Sequence, residues 1–176
     1  MDFVDPQAMV REMGLRPGMK VGDFGAGSGH YTLAAAKRVG SEGRVYALDV
    51  QEDVLKHIRA RADEQNIHTI ETIWGDFEKM YGTKLRDRVL DAAILSNVLF
   101  QLDNPHAAIG EIARTLKKGG ILLVVDWTGS HGGLGPSADK VIPAQEAEAL
   151  FTSLGFQKVK SFDAGSHHYA MIFTAP

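Results

Sequence analysis

The sequence predicts an α/β fold: a mostly parallel sheet with helices on both faces, closed by one antiparallel strand. Three observations predict it. Short apolar runs alternate with helical patterns from Met19 onward, the signature of repeated βαβ units. Those runs are near-continuously apolar, as in Val89–Ser96, which fits strands covered on both faces. The last two runs, 156–162 and 168–174, are joined only by a short connection around Gly165. A parallel crossover needs a dozen or more residues, so this pair must be antiparallel.

The elements follow in order. Asp5 and Pro6 suit the N-cap and first turn of a short helix ending near Gly14. Arg16-Pro17-Gly18 makes a turn, and Met19–Phe24 reads as a buried strand leading into a glycine-rich loop. Tyr31–Val39 is a helix, Arg44–Val50 a strand, Gln51–Gln65 a helix with charged outer face, and Thr69–Trp74 a strand. Val89–Ser96 is a strand, and Pro105–Lys118 a helix with Gly119-Gly120 as its C-cap. Ile121–Trp127 is a strand, 128–138 a loop rich in Gly, Ser and Pro, and Pro143–Leu154 a helix ended by Gly155. With no internal repeat and no dividing linker, residues 1–176 read as one domain, with 1–16 a short helical lead-in.

Composition narrows the chemistry. The chain has no cysteine, which excludes disulfides, thiolate metal sites and thiol nucleophiles, and suits a reducing cytoplasm. The formal net charge is −3, a poor basis for counterion-driven nucleic-acid binding. The clusters Lys56, Arg59, Arg61 and Lys117, Lys118 read as solvated helix faces. The N-terminus lacks the basic and apolar regions of a signal peptide, and no apolar run approaches the ~18 residues of a membrane span. The seven histidines are scattered, with no zinc-like spacing, so no metal is expected; His167 and His168 read as packing or pairing residues of the last strand.

The loop Asp23-Phe24-Gly25-Ala26-Gly27-Ser28-Gly29-His30-Tyr31 carries the strongest signal. The dinucleotide pattern G-x-G-x-x-G/A fails in both frames, because its third position is His30 or Thr32. Asp23 would repel a pyrophosphate and attract an ammonium or sulfonium group. Asp49, at the end of the second strand, suits the two hydroxyls of a ribose, although it could equally cap the helix that follows. Gly75-Asp76-Phe77, after the third strand, supplies an acid and an aromatic ring suited to adenine.

These markers, together with Asp91-Ala92-Ala93-Ile94-Leu95-Ser96-Asn97-Val98-Leu99 and Leu116-Lys117-Lys118-Gly119-Gly120, resemble the class I methyltransferases that use S-adenosylmethionine. The resemblance spans about residues 17 to 175 and is nearest the small-molecule branch, such as the quinone-biosynthesis C-methyltransferases. It implies a Rossmann-like, doubly wound seven-stranded sheet of order 3-2-1-4-5-7-6 with strand 7 antiparallel. It also implies site roles. Asp23 would hold the methionine amino group, and Gly25, Ala26, Gly27 and Gly29 would let backbone approach the cofactor. Asp49 would bind the ribose and Asp76 the adenine amine, with Gly75 beside it and Val50 and Phe77 flanking the ring. Ser96 and Asn97 would lie near the methyl group. The product would be S-adenosylhomocysteine.

Methyl transfer from a sulfonium is an in-line displacement that needs positioning first, and a general base only if the nucleophile must lose a proton. No triad is therefore required, and no catalytic residue is assigned. His30, Tyr31, Gln101, Trp127 and His131 follow strand ends that should face the cleft and are the substrate-side candidates. The 128–138 loop, with Gly129, Gly132, Gly133 and Gly135, could move over the site. The Asn-Pro-Pro-Tyr motif for methylating base amino groups is absent, with Ser96-Asn97-Val98-Leu99 in its place. Few residues precede the core, so the site is open, completed by a second copy in a homodimer, or suited to a larger substrate. The expected partner is a small-molecule methyl acceptor, not nucleic acid. The alternatives are a methyltransferase for RNA or protein, and a non-catalytic or NAD-dependent relative.

Overall fold

The computed structural model describes residues 4–132 and 135–176. The strands are β1 (Lys20–Phe24), β2 (Arg44–Asp49), β3 (Ile70–Trp74), β4 (Leu90–Ser96), β5 (Leu116–Trp127), β6 (Gln157–Asp163) and β7 (His168–Thr174). The helices are α1 (Pro6–Glu12), α2 (His30–Val39), α3 (Glu52–Glu64), α4 (Pro105–Thr115) and α5 (Ala144–Ser153). One seven-stranded sheet forms in the order β3-β2-β1-β4-β5-β7-β6. Its first five strands pair in parallel, and β7 runs antiparallel to both β5 and β6. The topology is the one implied by the resemblance.

Alternation along the strands sorts side chains onto two faces. Val21, Val45, Ile94 and Val125 pack with α1 and α2, and Ala47 with Leu55 and Ile58 of α3. Phe24, Leu48, Leu95 and Val124 pack on the other side with Ile109 of α4 and Phe151 of α5. Strand order reverses between β1 and β4. The loops leaving those two strands therefore diverge to opposite faces and open a crevice at the strands' C-terminal ends.

One expectation fails instructively. The helix placed at 105–118 stops at Thr115, and Gly119-Gly120 is not its cap. Leu116 is already extended (φ −75°, ψ 139°) and pairs with Leu90 at the start of a longer β5. Lys117 is drawn to Asp91 of β4 at 2.5 Å. The Gly119 N–H donates to the Ala175 carbonyl, and the Ala175 N–H to the Gly120 carbonyl. The glycine pair, Gly119 at φ +71°, thus joins β5 to the end of β7 instead of closing a helix. A 3-10 turn at Leu99–Gln101, unforeseen in the sequence, follows β4.

Candidate functional site

A cleft of about 620 Å³ lies over the C-terminal ends of the parallel strands. Its floor is the glycine loop. The N–H groups of Gly25 and Ala26 both donate to the Leu48 carbonyl at 2.9 Å, which ties the loop to β2. At Gly25 (φ +75°) an added Cβ would lie 2.6 Å from Val98, so the close passage of the chain requires glycine. The Asp49 carboxylate accepts from the Gly27 N–H at 3.0 Å and the Gln51 N–H at 2.9 Å. It is therefore aimed by two backbone donors, and each oxygen keeps a lone pair.

Asp23 is 2 % exposed and accepts from the Thr32 hydroxyl at 2.5 Å. Burial, with Asp49 adding repulsion, pushes its carboxyl up to about 6. Asp76 accepts from the Glu78 N–H and pairs with Lys79 at 3.0 Å. Phe77 lines the cleft while its ring meets Phe24 edge-on at 5.5 Å. Val50, opposite in character, is 57 % exposed, an apolar side chain left open at the cleft rim.

On the far side, Ser96 and Asn97 end β4. Asn97 stands at φ +58°, and its N–H donates to the Val125 carbonyl at 2.8 Å. The Gln101 side chain returns to the Asn97 carbonyl at 2.8 Å. The 3-10 turn is fixed by Asp126, which accepts from the Leu99 N–H at 2.9 Å and the Trp127 N–H at 2.8 Å. Burial pushes that carboxyl, too, up to about 6. Tyr31 reaches into the cleft from α2, its phenol pushed up to about 12 by burial, with the Ser96 hydroxyl beside it. His30 lines the opening, 3.5 Å from Arg61.

The structure thus gathers most of the expected residues. Asp23, Gly25, Ala26, Gly27, Asp49, Val50, Asp76, Phe77, Ser96 and Asn97 line one cleft with His30, Tyr31, Gln101 and Trp127. Gly29, Gly75 and His131 do not line it. Gly29 (φ +77°) starts α2 so close to Ile58 that a Cβ would lie 2.7 Å away. Gly75 packs backbone to backbone, with the Gly82 carbonyl 2.2 Å from where its Cβ would be. His131 stacks on His167 at 4.2 Å. In the 128–138 loop, Gly135 is seated on the Trp127 indole; Gly133 and Leu134 lie outside the described residues.

Sequence reading missed Val4, Pro6, Gln51, Glu78, Leu102 and His168. Val4 and Pro6 reach the cleft only because α1 packs on α2, a contact without a local signal. His168 had one: as the first residue of the reversed strand, it must lie among the last residues of the others.

The lining narrows the ligand class. It holds the carboxylates of Asp23, Asp49, Asp76 and Glu78, and no Lys or Arg among the described residues. Those side-chain charges disfavour a pyrophosphate there. An adenosine bearing an ammonium and a sulfonium fits: acids for the amine, hydroxyls and cations, an apolar rim for the ring, and bare glycine backbone between. No group of three or more His, Asp or Glu able to hold a metal occurs among the described residues.

Known proteins agree. Residues 15–163 match the family model described as a methyltransferase domain. The chain is 34 % identical over 126 residues to the ubiquinone/menaquinone biosynthesis C-methyltransferase UbiE of Bordetella parapertussis, covering 71 % of this chain and 47 % of that one. The Hydrogenovibrio crunogenus UbiE is 34 % identical over 115 residues, or 65 % and 44 % of the two chains. The chain thus spans about half the length of the curated relatives it matches. A crystal structure of a SAM-dependent methyltransferase from Aquifex aeolicus superposes with a TM-score of 0.89 at 25 % identity, over 99 % of this chain and 91 % of that one. The [4+2]-cyclase SpnF shares the fold alone, with a TM-score of 0.82 at 19 % identity over 97 % and 79 % of the chains. With the domain match covering most of its length and the cleft suited to the same cofactor, the chain belongs to the family of S-adenosylmethionine-dependent methyltransferases.

Proposed function

We propose that this chain transfers a methyl group from S-adenosylmethionine to a small-molecule acceptor. The observation that carries the reading is the cleft lining, rich in carboxylates and free of Lys and Arg among the described residues, at the switch point of the sheet. Asp49 would hold the ribose hydroxyls and Asp76 the adenine amine, with Val50 and Phe77 against the ring. Asp23 would hold the methionine ammonium, and Ser96 and Asn97 would stand near the methyl group. The cofactor supplies an activated methyl on a sulfonium. The protein's part is to place the acceptor's nucleophile in line with it and to keep water out.

The acidic lining and the net charge of −3 favour an uncharged or cationic small molecule over a nucleic acid. No helix among the described residues is long and apolar enough to cross a membrane. The absence of cysteine supports a cytoplasmic setting. Calorimetry with S-adenosylhomocysteine and with NAD tests the reading. Binding of the homocysteine adduct alone is expected; binding of NAD alone would overturn it. Screening acceptors with isotopically labelled cofactor then identifies where the methyl goes.

A further inference from the structure

The cations missing from the cleft stand just outside it. A groove of about 230 Å³ opens beside the cleft, and Pro6 and His30 line both. Three helices bound it. His30, Leu33, Ala34 and Lys37 recur at the three- and four-residue spacing of one face of α2. Arg61 comes from α3 and Gln65 from its C-cap, while Asp5, Pro6 and Gln7 come from the N-cap and first turn of α1. The buried Leu33 and Ala34 give the groove apolar lining.

The charge of this groove is opposite to that of the cleft. Lys37 and Arg61 line it against one acid, Asp5, which is already engaged as the cap of α1, accepting from the Gln7 N–H at 2.9 Å. The sequence groups Arg61 with Lys56 and Arg59 on a solvated face, but the structure separates the three. Lys56 pairs with Asp53 at 2.9 Å, and Arg59 donates to the Thr72 hydroxyl. Arg61 is half-buried and turns to the glycine loop. Its Nη1 donates to the Ser28 carbonyl at 2.6 Å, and its Nη2 lies 3.5 Å from His30 Nδ1. Those contacts fix the guanidinium and leave its remaining N–H groups uncommitted. Neither Arg61 nor Lys37 enters an ion pair among the described residues. Two unpaired cations, one of them held in place by backbone, suit an anion. A planar guanidinium gives a carboxylate or phosphate two parallel hydrogen bonds, and an ammonium adds charge.

We propose that this groove is a second ligand site, which takes the phosphate or carboxylate of a small molecule between Arg61 and Lys37. The site goes beyond the proposed methyl transfer and does not depend on it. The anion has two sources. It is a free small anion, or it is one end of the acceptor, whose uncharged or cationic part then passes His30 into the cleft. Because Arg61 also holds the Ser28 carbonyl, the anion and the glycine loop share one side chain.

The test follows the full chain by NMR in titrations with inorganic phosphate, hexyl phosphate and hexanol, with and without S-adenosylhomocysteine. Salt is kept low, because it screens exposed charges. Both phosphates are expected to shift the His30 ring and the Lys37 and Arg61 side chains, and hexanol is not. Arg61→Gln should weaken phosphate about tenfold or more, and Lys37→Gln less, since paired charged hydrogen bonds outweigh a solvated point charge. Urea unfolding shows whether each variant is folded, and Lys37→Gln alone decides if Arg61→Gln is not. Added shifts at Tyr31 and Asn97, which line the cleft and not the groove, under hexyl phosphate assign the anion to the acceptor. Their absence assigns the site to a free anion, and either result upholds it. No shift with either phosphate, equal binding of hexanol, or unchanged affinity in every folded variant overturns the proposal. Displacement of phosphate by S-adenosylhomocysteine overturns it too, by making the groove part of the cofactor cleft. Failure of the chain to bind S-adenosylhomocysteine overturns the proposed function and leaves the groove standing.

Discussion

The two sides of the cleft are built in different ways. The β1–β2–β3 side consists of loops that follow their own strands, and its acids are aimed largely by the residues just after them. Asp49 takes the Gln51 N–H and Asp76 that of Glu78, each two positions on, and Asp49 also takes the Gly27 N–H from the neighbouring β1 loop, 22 positions back. The β4–β5–β7 side is assembled from strands distant in sequence. Asp126 grips Leu99 across 27 positions, and Trp127 meets His168 across 41 (168 − 127 = 41). The first side carries polar groups already aimed by backbone. The second leaves His168 Nε2 without a partner among the described residues. On the proposed function, one wall would hold the cofactor and the other would face the acceptor.

The largest way to break the locally built side lies behind it. Arg114 binds Glu111, Asp87, the Thr83 hydroxyl and the Leu85 carbonyl, while Glu111 accepts from the N–H groups of Tyr81 and Thr83. That network anchors the segment after Asp76. Glu111 is 4 % exposed, so Arg114→Ala leaves a buried charge uncompensated and costs about 3–5 kcal/mol, measured by urea unfolding. Unchanged stability would show that the segment is held elsewhere.

Next, Asp49→Ala should weaken S-adenosylhomocysteine more than tenfold in calorimetry, since a charged hydrogen bond contributes ~1.5–3 kcal/mol. Equal affinity would remove Asp49 from the ribose. On the assembled side, Asp126→Ala strands the Leu99 N–H and should cost about 1–3 kcal/mol of stability. It should lower turnover while leaving cofactor affinity nearly intact. A loss of affinity as large as that of Asp49→Ala would erase the contrast between the two sides.

The smallest effect is a pH dependence. Burial raises Asp23 to about 6, so the fold favours its protonated form. Its contribution to stability is present at low pH and is lost as pH rises through 6. An ammonium ligand requires the carboxylate, so affinity runs the opposite way. From pH 7 to pH 5, S-adenosylhomocysteine binding should weaken by about tenfold, and the dependence should vanish in Asp23→Asn. A flat profile in the wild-type chain would detach Asp23 from the amino group.

The sequence made the β1–β2–β3 side legible, because Asp23, Asp49 and Asp76 each sit at or just after an apolar run, Asp23 and Asp76 beside glycine. It made the sheet order legible only through family likeness. Gly119-Gly120 was misread because a glycine pair after a helix looks the same whether it caps that helix or joins two strands; the deciding partner, Ala175, lies at the far end of the chain. His168 was missed for a related reason. A histidine opening a strand has no local mark that it lines a cleft until the strand's direction places it among the ends of its neighbours.

The reversed strand makes the short turn Ala164–Ser166 a vernier. Side chains alternate along β7, so inserting or deleting one residue there, with the pairing to β5 shifted by one, would present His167 or Tyr169 to the cleft in place of His168. β1, β2 and β4 offer no such adjustment, because each leads into a helix before the next strand. The hairpin is where a lineage could exchange one cleft-facing group for another in a single step, with the glycine loop untouched.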